Sequence, residues 1–245
     1  MKKLLLTSAV AALIAGPASA VVIDNFDLPQ NPAQQTADTP TNPPTNLDQD
    51  NGLSGVIGQS RDIDVQNDSG NPAGTQANNF NGDFNVANGP CCTGKAVLTW
   101  DGAENALESD AAEATVDTFG LGGVDLFAGT INNRFVFDLV DVDENWSWQL
   151  ELWDSDSLDS VSGSISDGQV GSVSIPFSSF SGIDFTNVGA IQFELATTEL
   201  NGDIAIDDFR TVGESSEIPL PASLPMLLAG MGGLGFLGWR RARKA

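Results

Sequence analysis

The sequence predicts an all-β fold, a two-sheet antiparallel sandwich of the jelly-roll kind. Three observations carry this. Short stretches alternate apolar and polar residues with a period of two, which gives each strand one buried and one wet face. Turn dipeptides separate the stretches: Asn51-Gly52, Asn81-Gly82, Asn88-Gly89, Asp167-Gly168 and Asn201-Gly202. Helical periodicity is almost confined to the two ends of the chain. The stretch 21–214 is one ordinary domain, long enough to bury roughly 70% of the surface of its unfolded chain.

Taken in order, the first strand is expected at Val21 to Phe26. Residues 31–55, rich in Pro, Asn, Thr and Gln, read as a long loop. Arg61 to Gln66 alternates, with Ile63 and Val65 on one face. Ala96 to Trp100 is another strand, closed by an Asp101-Gly102 turn. Glu104 to Ala114 is rich in Ala and Glu and fits a short helix. Arg134 to Val140 places Phe135, Phe137 and Leu139 on one side. Trp146 to Trp153 places Trp146, Trp148, Leu150 and Leu152 on one face, with Ser147, Gln149, Glu151 and Trp153 opposite. Val161 to Ser166, Val170 to Phe177, Ala190 to Leu195 and Ile204 to Val212 complete the set. Eight to ten short strands with little helix are the signature of a sandwich.

The ends carry targeting signals. Lys2 and Lys3 precede the apolar stretch Leu4 to Ala15, and Ala18-Ser19-Ala20 supplies small residues for a signal peptidase. Residues 1–20 read as a secretory signal peptide. Residues 215–245 hold Ile218-Pro219-Leu220-Pro221-Ala222, an uncharged span over 219–239, and the basic cluster Arg240, Arg241, Arg243 and Lys244. About twenty apolar residues suffice to cross a bilayer core, and basic residues behind the span stay cytoplasmic. Gly230, Gly232 and Gly235 match a dinucleotide fingerprint only formally, because no strand precedes them.

This cassette resembles the PEP-CTERM sorting signals of Gram-negative bacteria, in the VPLPA version with Ile218 in place of the first Val. The resemblance covers the last thirty or so residues. It implies cleavage by an exosortase and a membrane-anchored intermediate at the inner membrane. Display at the cell surface or release would follow. Ser60-Arg61-Asp62-Ile63 and Gly120-Leu121-Gly122-Gly123-Val124-Asp125-Leu126 are similar to motifs of exported proteins of that group. Within the body, Ile23-Asp24-Asn25-Phe26, Ile175-Pro176-Phe177-Ser178-Ser179-Phe180 and Ile206-Asp207-Asp208-Phe209 resemble galactose-binding-like jelly rolls. In such folds the first and last strands lie close and a structural calcium is common.

Composition excludes several chemistries. The chain has 33 acidic and 10 basic residues and no His. Six of the basic residues lie in the targeting segments. Arg61, Lys95, Arg134 and Arg210 alone face the 33 acids, a net of −29 between the signal peptide and the membrane span. Such a body repels nucleic acid and anionic lipid. Absence of His removes imidazole acid–base work, His-based zinc sites and the usual serine triad.

Few residues qualify as site candidates. Asp24, Asp27, Asp207 and Asp208 converge if the terminal strands pair, and carboxylates with backbone carbonyls suit calcium; solvated strand ends are the plain alternative. Asp154, Asp156 and Asp159 form an acidic loop that lacks the glycine and final Glu of an EF-hand. Trp153, on the polar face of its strand, is placed to stack on a sugar ring. Cys91 and Cys92 are adjacent, about 3.8 Å between Cα atoms, so a bridge between them is strained. A vicinal disulfide, intermolecular pairing and two free thiols all remain open. No catalytic constellation is present. The expected role is structural or adhesive, outside the cytoplasm, with polysaccharide as partner. A lectin-like carbohydrate-binding module with calcium, or a glycan-active enzyme, are the alternatives.

Overall fold

The computed structural model describes residues 20–28, 35–36, 45–67, 74–90, 92–103, 116–128 and 132–213. The signal peptide up to residue 19, the Pro motif, the apolar span 219–239, its basic flank and the helix expected at Glu104 to Ala114 lie outside them. Among the described residues, no helix is long and apolar enough to cross a membrane.

Thirteen strands are found among the described residues: β1 (Val21–Asp24), β2 (Gln35–Thr36), β3 (Thr45–Asn51), β4 (Ser60–Asn67), β5 (Thr75–Phe80), β6 (Asp83–Asn88), β7 (Gly94–Trp100), β8 (Asn132–Val142), β9 (Trp146–Asp154), β10 (Leu158–Ile165), β11 (Gly171–Pro176), β12 (Val188–Thr197) and β13 (Asp203–Gly213). Two short 3-10 turns, Ile57–Gln59 and Phe177–Ser179, join them. The first sheet runs β11-β8-β13-β6-β5-β2, with β1 also on β13. The second runs β10-β9-β12-β7-β4-β3. All pairings are antiparallel. The two-sheet antiparallel sandwich expected from alternation is the observed architecture.

Alternation sets which side chains fill the space between the sheets. Phe135, Phe137 and Leu139 of β8 face Trp148, Leu150 and Leu152 of β9, and all are buried. Phe137 meets Phe193 at 5.0 Å between ring centroids, and Trp100 meets Phe209 at 5.5 Å. Both pairs are tilted, away from the face-to-face sandwich that aromatic rings avoid. At one end Phe177 and Phe185 stack at 4.1 Å.

The long loop expected over 31–55 differs from what is observed. Within it, β3 pairs with β4 in continuous register from Thr45↔Gln66 to Asn51↔Ser60. Its sequence, Thr-Asn-Leu-Asp-Gln-Asp-Asn, has low strand propensity. It lies at an edge, where polar residues are the rule and register comes from the neighbour's ladder. The hairpin β5–β6 also escaped the sequence reading, although its turn did not. Asn81 and Gly82 both adopt positive φ, 59° and 92°, between the paired residues Phe80 and Asp83. That is what a two-residue hairpin turn requires.

A buried polar clasp joins the sheets. Asp24 on β1 and Arg61 on β4 form an ion pair at 2.8 Å with both side chains fully buried. Trp100 Nε1 donates to the same carboxylate oxygen at 3.0 Å, and the Phe26 N–H donates to the other at 2.9 Å. Asn79, oriented oxygen-first, accepts from both terminal guanidinium nitrogens at 2.6 and 2.7 Å. The guanidinium lies 5.8 Å from the Phe26 ring centre. The Ser60-Arg61-Asp62-Ile63 motif thus has a packing role: it delivers the cation of the clasp.

Candidate functional site

The outward face of the second sheet collects the polar half of the alternating strands. Its register aligns the outward residues in rows across five strands. Ser160, Glu151, Gln192, Thr99 and Asp62 form one row on β10, β9, β12, β7 and β4. Ser162, Gln149, Glu194, Val97 and Asp64 form the next, and Ser164, Ser147, Ala196, Lys95 and Gln66 the third. Gln149, Glu151, Gln192 and Glu194 line a depression of about 170 Å³ at the centre.

Hydrogen bonds order this floor. Gln149 Nε2 donates to Glu151 at 2.5 Å, and Gln192 Nε2 donates to the Thr99 hydroxyl at 3.0 Å. Lys95 Nζ pairs with Glu194 at 2.9 Å. The floor therefore offers amide donors and acceptors beside carboxylate acceptors, the groups that match the hydroxyls of a polyol.

At one end of the depression the face turns apolar. Trp153, half-buried, follows Glu151 by two residues on β9 and so points to the same side. Its cross-strand partners are Leu158, 58% exposed, and the small Ala190. Beside Ala190 a bulge at Gly189 receives the segment 116–122: Leu121 N–H donates to Gly189 O at 2.9 Å, and a Cβ on Gly189 would sit 2.0 Å from Thr118 O. This segment carries Phe119, 63% exposed, with its N–H donated to Asp117 at 3.0 Å. The glycine motif at 120–126 makes that close packing possible. A Cβ on Gly120 would meet Asp101 O at 1.5 Å.

The terminal strands do pair, Val21↔Thr211 to Asp24↔Phe209. The four carboxylates expected to gather there do not act together. Asp24 faces inward, and Arg61 holds the place a metal cation would take. Burial pushes its carboxyl above the usual range, against the pull of Arg61, Trp100 and the Phe26 N–H. Asp27 is exposed and accepts from Asn25 Nδ2 at 2.7 Å. Asp208 pairs with Arg210 at 2.5 Å, and Arg210 also binds Asp138. Asp207 is exposed beside Asp83, whose carboxyl is raised by burial and then by Asp207. Among the described residues no three acidic or cysteine side chains group as metal ligands.

Asp154 is likewise engaged, taking N–H donors from Asp156, Ser157 and Asp184 at 2.7–2.8 Å. Burial works against its ionisation, but these three donors outweigh it and hold the carboxyl below its usual range. Asp159 accepts from the backbone and hydroxyl of Ser181. Asp154 thus fixes the β9–β10 turn, and both acids tie this end of the hairpin to the loop at Ser181 and Asp184. Cys92 is buried, with its N–H on Gly89 O at 2.9 Å; Cys91 lies outside the described residues.

Gln149, Glu151, Gln192 and Glu194 were not singled out by sequence. The alternation already put Gln149 and Glu151 on one face with Trp153. Their meeting with Gln192 and Glu194 depends on β12 lying beside β9, which is non-local pairing that periodicity does not encode.

No family model matches this chain, and no curated protein matches it. Solved structures it is similar to include the family 11 carbohydrate-binding module of the cellulosomal cellulase Lic26A-Cel5E of Clostridium thermocellum. That match has 12% identity and a TM-score of 0.38 and covers 81% of this chain and 96% of the module. Another is TmCBM61 in complex with beta-1,4-galactotriose, at 13% identity and TM-score 0.31 over 70% of this chain and 89% of that one. A third is the agarase AgWH50C, at 11% identity and TM-score 0.36 over 61% of this chain and 22% of the agarase. The likeness extends no further than an all-β architecture.

Proposed function

We propose that this chain is an exported surface or matrix protein whose jelly-roll-like body binds polysaccharide on the outer face of its second sheet. One observation carries the binding reading: an outward Trp153 at the end of a depression lined by two amides and two carboxylates. An aromatic platform with convergent hydrogen-bonding groups suits a sugar, which has an apolar ring face and a polar rim. The reading is binding rather than hydrolysis. Glu194 is tied to Lys95 and Glu151 to Gln149, in the depression of the sheet face. Calcium-dependent recognition finds less support, because Asp24 is committed to Arg61.

A glycan array probed with the purified chain and with Trp153→Ala tests it. Loss of ring stacking, about 0.5–1.5 kcal/mol, should weaken binding up to roughly tenfold. A bound glycan indifferent to Trp153→Ala places its site elsewhere.

Export and sorting rest on the two terminal segments. Signal peptidase would remove residues 1–20, and an exosortase would act near Ile218 to Ala222 while the span 219–239 holds the protein in the membrane. Intact mass of the mature protein from its native host should lack the residues beyond the Pro motif. Recovery of Arg243 and Lys244 at the C terminus overturns processing and leaves a membrane anchor.

A further inference from the structure

We infer that the depression on the second sheet prefers glycans carrying free amino groups, with Glu151 as the counter-charge. The inference rests on the reading of this face as a glycan site and adds the chemical class of the ligand. Charge asymmetry within the depression points to it. Two carboxylates line the cavity. Glu194 is neutralised by Lys95 at 2.9 Å. Among the described residues Glu151 has no cation beside it: Ser160 and Gln192 flank it across the strands, Gln149 and Trp153 flank it along its own strand, and Gln149 Nε2 is its hydrogen-bond donor. Among the described residues that line the depression, the negative charge without a cation beside it is therefore at one defined point, Glu151.

The chemistry of the lining residues sharpens the preference. An amide offers a donor and an acceptor, so Gln149 and Gln192 accept neutral hydroxyls in either role. A carboxylate is acceptor-only, so Glu151 favours donors, and a charged donor most. A uronate or sulfate brings a like charge to it. Trp153 lies two residues along the strand, about 7 Å away. A sugar stacked there places its neighbour over Glu151. An ammonium group on that neighbour makes the ion pair that no described residue makes with Glu151.

The whole chain, at net −23, attracts any polycation, so the test must separate local from global charge. Affinities of the full chain are measured at pH 6 and low salt for three oligomers of equal length: glucosamine, N-acetylglucosamine and galacturonic acid. The amino oligomer should bind about fivefold tighter than its acetylated form, the ratio an ion pair of about 1 kcal/mol gives. The galacturonate should bind weakest. Glu151→Gln should bring the amino-to-acetyl ratio near one. Glu199→Gln, which removes an exposed acid away from the depression, should leave it unchanged. Equal affinities, a ratio that survives Glu151→Gln, or no binding of the amino oligomer overturns the inference. If a neutral glycan still binds in a manner sensitive to Trp153→Ala, the glycan site itself stands. If none binds, both fall.

Discussion

Arg61→Met should destabilise the protein by about 3–5 kcal/mol, the range for removing one partner of a buried ion pair. The reason is what remains. Asp24 is wholly buried, and its carboxylate stands in a medium that solvates charge poorly. Burial already pushes its carboxyl upward with Arg61 in place, and without Arg61 that push is unopposed except by Trp100 Nε1 and the Phe26 N–H. Asn79 also loses the donors that satisfy its oxygen. The pair with its charge removed from both sides is a different case. Asp24→Asn together with Arg61→Met removes both buried charges and keeps one acceptor oxygen for Trp100 or Phe26, and it should recover part of the loss, because a buried salt bridge is worth little against a neutral replacement. Urea unfolding of the wild type, Arg61→Met and the double variant reads this. A single-variant loss below about 1 kcal/mol, or a double variant no better than the single, overturns the account.

The clasp also marks how far the sequence was legible. Ile23, Ile63, Val65, Phe135, Phe137, Trp146 and Trp148 are in the core as alternation requires. Periodicity reads such strands because a half-buried strand must segregate its side chains. It cannot read Arg61, which shares the inward face with Ile63 and Val65, as the partner of Asp24 in another sheet. Nor does it read β3 and β5, whose residues are mostly Asn, Asp, Gln and Ala and whose pairing is imposed by neighbours; β6 does alternate, with Phe84 and Val86 buried, but offers only two buried apolar positions to read. The candidate site was half visible for the same reason. Trp153 stood out as a candidate because an aromatic on a polar face breaks the pattern. Gln192 and Glu194 conform to it and become informative only beside β9. The acids expected to bind calcium were misjudged at Asp24, since nothing local distinguishes a carboxylate bound for solvent from one bound for a buried guanidinium.

Trp148→Ala should cost about 3–5 kcal/mol, while Trp153→Ala, an odd number of residues further along the strand and so on the opposite face, should cost roughly 1 kcal/mol or less. Both residues are indoles on the same strand, so the contrast isolates the face. Trp148 is 8% exposed and meets Phe137 edge-on at 5.9 Å. Its cross-strand partner on β10 is Gly163, and a Cβ there would lie 2.5 Å from the indole ring. The glycine is therefore the space the ring occupies, and Gly163→Ala should destabilise by about 1–3 kcal/mol through overpacking. Trp153 faces outward against Leu158 and Ala190, and its removal opens no internal cavity. The opposite ranking should hold for binding: Trp153→Ala weakens glycan affinity, whereas Gly163→Ala leaves it near wild type wherever the protein is folded. Thermal unfolding and glycan affinity measured on the same three variants test both halves. Equal destabilisation by the two tryptophan variants means that the strand register is wrong. Equal glycan affinity in wild type and Trp153→Ala removes the outer face of the second sheet as the binding surface.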